Sequence, residues 1–261
     1  MDNTTTLAAI NMVGNYVGQA FNFTTDGQST PGTDIFLSCY LAGTRILTVH
    51  GEVPVESLRE GDLVVTRLGS DTRCGPVRWI GVSRIDLDRH PKPRTVTPIR
   101  ILAGAFGDGL PHRDLLLSPD HAVYVEGVLI PIQYLVNDAT IRREAIGGVV
   151  TYYHVELDAH DVLVADGLQV ESYLDTGDRA NFENGGAVRA LYPNFVTSQW
   201  ESAGCAPLVV TGPVLQAVRD RVNALVTAGV ANSTAKVSML QANGEHDKPY
   251  PSKRLVMSSA G

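Results

Sequence analysis

The feature that most constrains this fold is a succession of short β-branched segments separated by turn residues between positions 44 and 172. Segments such as TRILTV, LVVTRL, VVTYYHVEL and DVLVADG are rich in Val, Ile and Thr, and Gly, Asn or Asp residues follow them at short intervals. Such segments, bounded by turn signals at this density, are typical of strands, and no helical stripe of useful length interrupts them. The pattern predicts an all-β domain.

Two stretches inside this region share one pattern. TVHGEVPVESLREGDLV and YVEGVLIPIQYLVND each contain a strand, a turn with Gly, a second strand with Pro, and a Leu before another turn. An internal repeat of this kind predicts two related β lobes.

Charge and cysteine content exclude several classes of function. The 261-residue chain has a formal net charge of −7 with scattered basic residues, which disfavours nucleic acid or an anionic membrane as a partner. Its three cysteines lie far apart, so they predict neither a disulfide framework nor a metal site, and we expect no cofactor. Cys74 is expected in a loop, and Cys205 as a small buried residue.

The sequence also predicts a soluble protein. No apolar run is long enough to span a membrane. Asp2 stands where a classical signal peptide has basic residues, so we expect a cytoplasmic protein or one exported by a route that reads no such signal.

The ends of the chain differ from its centre. Residues 1–38 contain no Lys or Arg, which fits either a junction between two functional segments or a polar leader before a domain. Residues 174–240 are predicted to form a C-terminal extension. It holds one amphipathic helix at about 213–228 that packs on the β domain, because apolar residues recur there at helical spacing. Residues 241–261 are predicted to form a flexible tail.

Cys39 is a candidate nucleophile. A cysteine thiol can attack the carbonyl carbon of the preceding residue, here Ser38, and convert that amide into a thioester if the protein supplies proton transfer and oxyanion stabilisation. In LLLSPDHAVYV, Ser118 and His121 flank a Pro-Asp turn between two strands, and Pro119 stiffens that turn. Taken alone, the same four residues are also a common surface turn.

Together these segments resemble the Hint family, which is shared by inteins, Hedgehog autoprocessing domains and bacterial intein-like domains. CYLAGT followed by GEVPVESLREGDLV resembles the opening block of the family, and Ser118 to His121 stand where the family has Thr-x-x-His. YHVELDAHDVLVADGLQVESY resembles the closing block, with His160 at the position of its histidine. The resemblance covers about 38–175 and is strongest to the bacterial intein-like type.

This resemblance implies a Hint horseshoe of two pseudo-symmetric β lobes over residues 39–173, preceded by an extein-like leader that is the domain's own substrate. It implies that Cys39 is the nucleophile and that Ser118 and His121 assist breakage of the Ser38–Cys39 peptide bond. His160 is the fourth site residue by the same comparison.

Two departures from the family pattern shape the expected activity. Inteins cut their second junction by cyclisation of an Asn that follows a His, and the corresponding stretch from Val170 to Tyr173 contains neither residue. We therefore expect N-terminal cleavage by water or an external nucleophile, in a single turnover and without full splicing. Many inteins also carry an Asp shortly before the closing histidine, and His154 and Asp158 both remain candidates for that role.

A different class of function stays open. The domain could retain the Hint fold as a binding or structural module whose chemistry is attenuated, because the terminal Asn is missing and the leader is short.

Overall fold

The structure is a computed structural model that describes residues 38–176, 179–186 and 195–242. Within these ranges the chain forms short strands in the predicted region and two helices after it. The strands are β1 (Tyr40–Leu41), β2 (Arg45–Thr48), β3 (Gly51–Pro54), β4 (Leu63–Leu68), β5 (Asp71–Pro76), β6 (Trp79–Asp86), β7 (Ile99–Ile101), β8 (Leu115–Leu117), β9 (Ala122–Val125), β10 (Val128–Pro131), β11 (Ile141–Arg143), β12 (Val149–Glu156), β13 (Val162–Ala165) and β14 (Leu168–Glu171). The helices are α1 (Phe195–Ala203) and α2 (Pro213–Ala242).

The strands form two antiparallel sheets, which confirms the all-β prediction. The first sheet has the order β11-β7-β8-β1-β12-β6, and the second has the order β10-β9-β14-β13-β2-β4-β5, with β3 paired to β2. In the first sheet Tyr40 pairs with Leu117 on one side and with Tyr153 on the other. The segment that follows Cys39 is therefore held between β8, which leads to Ser118, and β12, which contains His154.

The internal repeat corresponds to two equivalent hairpins. Strands β2 and β3 pair and end at Pro54, which precedes a 3-10 turn over Val55–Ser57. Strands β9 and β10 pair and end at Pro131, which precedes a 3-10 turn over Ile132–Leu135. The two prolines have nearly the same extended backbone angles, so the chain has the same conformation at the end of both hairpins.

Two apolar clusters stabilise this arrangement. The larger one joins the inner faces of the strands to the first turns of α2, where Leu215, Val218 and Val222 are buried. The prediction that this helix packs on the β domain is confirmed by that burial. The smaller cluster surrounds the predicted nucleophile and consists of Cys39, Trp79, Leu87, Val96, Val150, Tyr152, Tyr173 and Phe182.

Three local predictions were wrong or incomplete. Cys74 lies on strand β5 rather than in a loop, because residues 71–76 pair along the whole of β4 although their side chains are polar and mostly exposed. Helix α2 begins at the predicted Pro213 but continues past Gly229 to Ala242, since one Gly costs a helix only about 1 kcal/mol and Ala, Lys, Met, Leu and Gln occur among the residues after it. Helix α1 was not predicted.

The predicted leader, apart from Ser38, and the predicted tail beyond Ala242 lie outside the described residues. Neither described helix is long and apolar enough to cross a membrane.

Candidate active site

Cys39 is completely buried and lies directly before β1. Its neighbours in the smaller apolar cluster include the aromatic rings of Trp79, Tyr152 and Tyr173. Gly81 on β6 makes room for this packing, since a Cβ atom at that position would lie 2.5 Å from the Trp79 ring. The thiol-bearing residue is therefore enclosed by protein rather than presented at a surface.

Ser118 binds the Cys39 residue at both of its backbone groups. The Cys39 N–H donates a hydrogen bond of 2.7 Å to Ser118 Oγ, and the Ser118 N–H donates one of 2.9 Å to the Cys39 carbonyl oxygen. This pairing follows from the register of β1 and β8, because Ser118 comes directly after Leu117, the partner of Tyr40. The nitrogen of the Ser38–Cys39 peptide bond thus faces the Ser118 hydroxyl.

The turn from Ser118 to His121 has a second link to the same peptide. The His121 N–H donates to the Ser118 carbonyl oxygen at 3.1 Å, which closes the turn. The Ser38 hydroxyl donates to the Asp120 carbonyl oxygen at 3.3 Å. Both residues of the predicted scissile bond are therefore fastened to this turn.

His121 is fully buried and its two ring nitrogens have different surroundings. Nε2 lies 3.1 Å from the carbonyl oxygen of Glu171, an acceptor, which places the proton of a neutral ring on Nε2. Nδ1 is buried and has no hydrogen-bond partner among the described residues. Burial lowers the pKa of His121, while the Glu171 charge, the nearby Cys39 backbone and the Glu171 carbonyl oxygen partly offset that effect. A neutral His121 with a basic Nδ1 can accept a proton.

Glu171 is a site residue that the sequence analysis missed. Its side chain is 3% exposed, and Oε1 accepts a 2.8 Å hydrogen bond from the Ala122 N–H. Its carbonyl oxygen also accepts a 2.8 Å hydrogen bond from the Tyr40 hydroxyl. Residues two apart on a strand lie on the same face, so alternation places Glu171 on the face of the partly exposed Gln169. The burial of Glu171 could therefore not be predicted from the sequence pattern.

The structure separates His154 from Asp158, the two candidates left open. His154 lies on β12 with its ring centroid 5.2 Å from that of His121 and 4.9 Å from that of Tyr173. Burial lowers its pKa well below the ordinary value, and the neighbouring histidines add to the effect. Asp158 is 59% exposed and forms an ion pair with Arg78 instead. Of the two, His154 lies beside the site.

His160 lies beside the Glu171 carboxylate, whereas His121 lies beside the Glu171 carbonyl oxygen. Its side chain is fully buried, and Nε2 is 3.7 Å from Glu171 Oε2. Nδ1 accepts a 3.1 Å hydrogen bond from the backbone N–H of Cys205. The predicted site residues therefore form two groups: Cys39, Ser118 and His121 lie together, and His160 approaches them through Glu171.

Asp120 was part of the predicted turn but had no predicted role. Burial raises the pKa of its carboxyl group from 3.8 to about 7, and the charge of Glu171 adds to the rise while Arg143 opposes it. Its Oδ1 accepts a 2.6 Å hydrogen bond from the Gln133 side chain. This titratable carboxyl group belongs to the residue directly before His121.

Cys205 is half-buried, whereas a small buried residue was predicted. Burial raises the pKa of its thiol to about 12, with contributions from the charges of Glu171 and Asp161. The thiol is therefore protonated at neutral pH, and the contribution of Cys205 to the site is its backbone N–H.

A second polar cluster lies at the turn between β13 and β14. Glu52, His112 and Asp166 each place one oxygen or nitrogen atom within 4.8 Å of the others. The Arg113 guanidinium donates to Asp166 Oδ1 at 2.9 Å, and the Arg45 N–H donates to Oδ2 at 3.3 Å. Both oxygens of the buried Asp166 carboxylate already accept hydrogen bonds. We therefore infer that this cluster is structural and holds the β13–β14 turn against the loop before β8.

Known proteins similar to this chain include solved intein structures and the members of one protein family. An intein-like domain from Clostridium thermocellum matches at 15% identity and a TM-score of 0.38, covering 52% of this chain and 99% of that domain. A DnaB intein from Synechocystis sp. PCC 6803 matches at 9% identity and a TM-score of 0.37, with coverage of 52% and 99%. Comparison with curated proteins found no match. The family model described as the Hint domain matches residues 38–177, and on this match the chain belongs to the Hint family.

Proposed function

We propose that this domain cleaves its own chain after an N–S acyl shift at the Ser38–Cys39 peptide bond. The observation that carries the proposal is the arrangement around that bond. Ser118 binds the Cys39 N–H at 2.7 Å, and the buried Nδ1 of neutral His121 has no hydrogen-bond partner among the described residues.

The acyl shift moves one proton and exchanges one bond. The Cys39 thiol gives its proton to His121 Nδ1, and Sγ forms a bond to the carbonyl carbon of Ser38. The C–N bond to Cys39 then breaks, and the same proton passes to the departing nitrogen. The products are a thioester on Ser38 and a free α-amino group on Cys39.

Ser118 has two effects in this proposal. Its hydroxyl oxygen fixes the orientation of the scissile N–H, so the nitrogen is held where a proton can reach it. Its N–H holds the Cys39 carbonyl, which keeps the rest of the residue in place as the bond breaks. Positioning of this kind lowers the barrier because the reacting groups lose little freedom on the way to the transition state.

The low pKa of His121 suits this mechanism. A histidine that remains neutral at pH 7 can act first as base and then, once protonated, as acid. Glu171 supports the charged form of the ring that exists between these steps, because its negative charge raises the pKa of His121. Its carbonyl oxygen also keeps the second ring proton on Nε2.

The thioester is resolved by water or by an external nucleophile rather than by splicing. Asn cyclisation needs a side-chain amide nitrogen, and Glu171 has none. Its Oε1 is also engaged by the Ala122 N–H. We therefore expect the segment after the domain to stay attached.

The test is the intact mass of freshly expressed protein over time, with and without dithiothreitol or hydroxylamine. We expect loss of residues 1–38 that is accelerated by either nucleophile and abolished in Cys39→Ala. The exposed Cys74 offers a matched control, and Cys74→Ala should process like the parent. A full-length mass in every sample would overturn the proposal and favour the Hint-fold binding module.

A further inference from the structure

The chain beyond the Hint domain is fastened to it by backbone hydrogen bonds. The Leu129 N–H donates to the Pro207 carbonyl oxygen at 2.9 Å, and the Val209 N–H donates to the Leu129 carbonyl oxygen at 2.8 Å. Leu208 thus forms a parallel bridge to Leu129 on β10. The stretch after α1 therefore lies against the sheet that carries Glu171.

Helix α2 anchors the other end of this stretch. Leu215 and Val218 are buried in the main core, and Arg221 forms an ion pair with Glu126 at 3.0 Å. On the other side of Cys205, α1 contacts the domain through Trp200, whose ring packs on His160, so Cys205 lies between two held points, α1 and the bridge at Leu208.

That position brings a backbone donor to His160. The Cys205 N–H can only donate, so the 3.1 Å hydrogen bond requires an unprotonated Nδ1 on His160. In the neutral ring the proton is then on Nε2, which is 3.7 Å from Glu171 Oε2. The Trp200 ring covers His160 edge-to-face at 5.2 Å between ring centroids.

Glu171 connects this contact to the reacting residues. Its carboxylate faces His160 through Oε2 and the Ala122 N–H through Oε1, and its carbonyl oxygen accepts from His121 Nε2. A change in the His160 tautomer would present a lone pair instead of an N–H to the Glu171 carboxylate, and this repulsion would displace the group that orients His121.

We propose that the extension after the Hint domain completes the active site, with the backbone N–H of Cys205 as a positioning group that selects the Nε2–H tautomer of His160. This inference rests on the proposed acyl shift, because the orientation it maintains is that of His121 through Glu171. The Cys205 thiol takes no part.

The direct test is the protonation pattern of His160 in full-length protein labelled with 15N-histidine. The Cys39→Ala chain is used, since it cannot process, and His160→Gln assigns the signals. Two-bond 1H–15N correlations should show a protonated Nε2 and an unprotonated Nδ1 on His160. The proton on Nδ1 instead would overturn the inference whether or not the domain cleaves itself.

Two substitutions at one position extend the test to rate. Cys205→Pro removes the N–H, and Cys205→Ala keeps the N–H while removing the thiol. In the Cys39→Ala chain, we expect Cys205→Pro to mix the two tautomers and Cys205→Ala to leave the pattern unchanged.

In the processing-competent chain, Cys205→Pro should slow cleavage about ten-fold, less than the roughly 10²–10⁴-fold expected for a group that transfers the proton itself. An unchanged rate and tautomer in a folded Cys205→Pro protein would contradict the inference, as would an equal loss in both variants. If Cys205→Pro does not fold, the protonation pattern of His160 in the chain that retains Cys205 decides whether the inference holds.

Discussion

Asp120 makes the stability of this domain depend on pH in a direction opposite to that of most carboxylates. Burial raises its folded-state pKa from 3.8 to about 7, so the folded state favours the protonated carboxyl group. The contribution of this carboxyl group to the free energy of unfolding is therefore complete below its unfolded-state pKa of 3.8. That contribution is lost as the pH rises to about 7. At about 1.4 kcal/mol per pH unit, the difference between the two pKa values corresponds to a loss of about 4 kcal/mol, and residual solvent contact makes this an upper value.

Asp120→Asn isolates this contribution, because Asn cannot ionise and retains an oxygen for the 2.6 Å hydrogen bond from Gln133. Urea unfolding in a Cys39→Ala background avoids processing during the measurement. We expect the two proteins to have similar stability near pH 4, and the Asn variant to be more stable by up to about 4 kcal/mol at pH 8. The exposed Asp71 is a matched control, and Asp71→Asn should show no such divergence. A difference for Asp120→Asn that is independent of pH, or a parent more stable at pH 8, would contradict a raised pKa for Asp120 in the folded state.

Three further substitutions test other parts of the account. Ser118→Ala removes the hydroxyl that accepts from the Cys39 N–H and should slow processing about 10²-fold, whereas Ser118→Thr retains the hydroxyl and should process at a rate close to that of the parent; intact mass against time gives both rates. Leu215→Ala removes a buried side chain from α2 and should lower the free energy of unfolding by about 2–5 kcal/mol in urea titrations, with no loss contradicting the docked helix. Gly81→Ala forces a Cβ atom against the Trp79 ring and should cost about 1–3 kcal/mol in the same assay; an unchanged midpoint would mean that the cluster around Cys39 is looser than described.

The sequence predicted the parts of this fold that depend on local patterns. Strands with β-branched residues and clear turns, such as β4 and β12, were identified because burial and alternation leave a visible signature. The repeat appeared because both hairpins end in a proline followed by a 3-10 turn. The pairing of Ser118 with Cys39 depends on the register of two separate strands, and only the order of the family blocks indicated it.

What the sequence did not predict has a physical cause in each case. Strand β5 lies at a sheet edge, where polar side chains remain exposed and produce no apolar pattern. Glu171 is buried against strand alternation, because its carboxylate finds the Ala122 N–H across the sheet. The contact between Cys205 and His160 spans 45 positions and uses a backbone N–H, which is the same in every residue except Pro. Tertiary contacts of this kind leave no local signal.

The residue that carries the acyl bond distinguishes an acyl shift at Ser38–Cys39 from cleavage elsewhere. Hydroxylamine added to the freshly purified full-length chain attacks a thioester and leaves a hydroxamate on the residue that carried it. We expect tandem mass spectrometry of the released fragment to find residues 1–38 with the hydroxamate on Ser38, and the remaining chain to begin at Cys39 with a free amino group. A fragment that ends at another residue, or no release in hydroxylamine, would contradict the acyl shift.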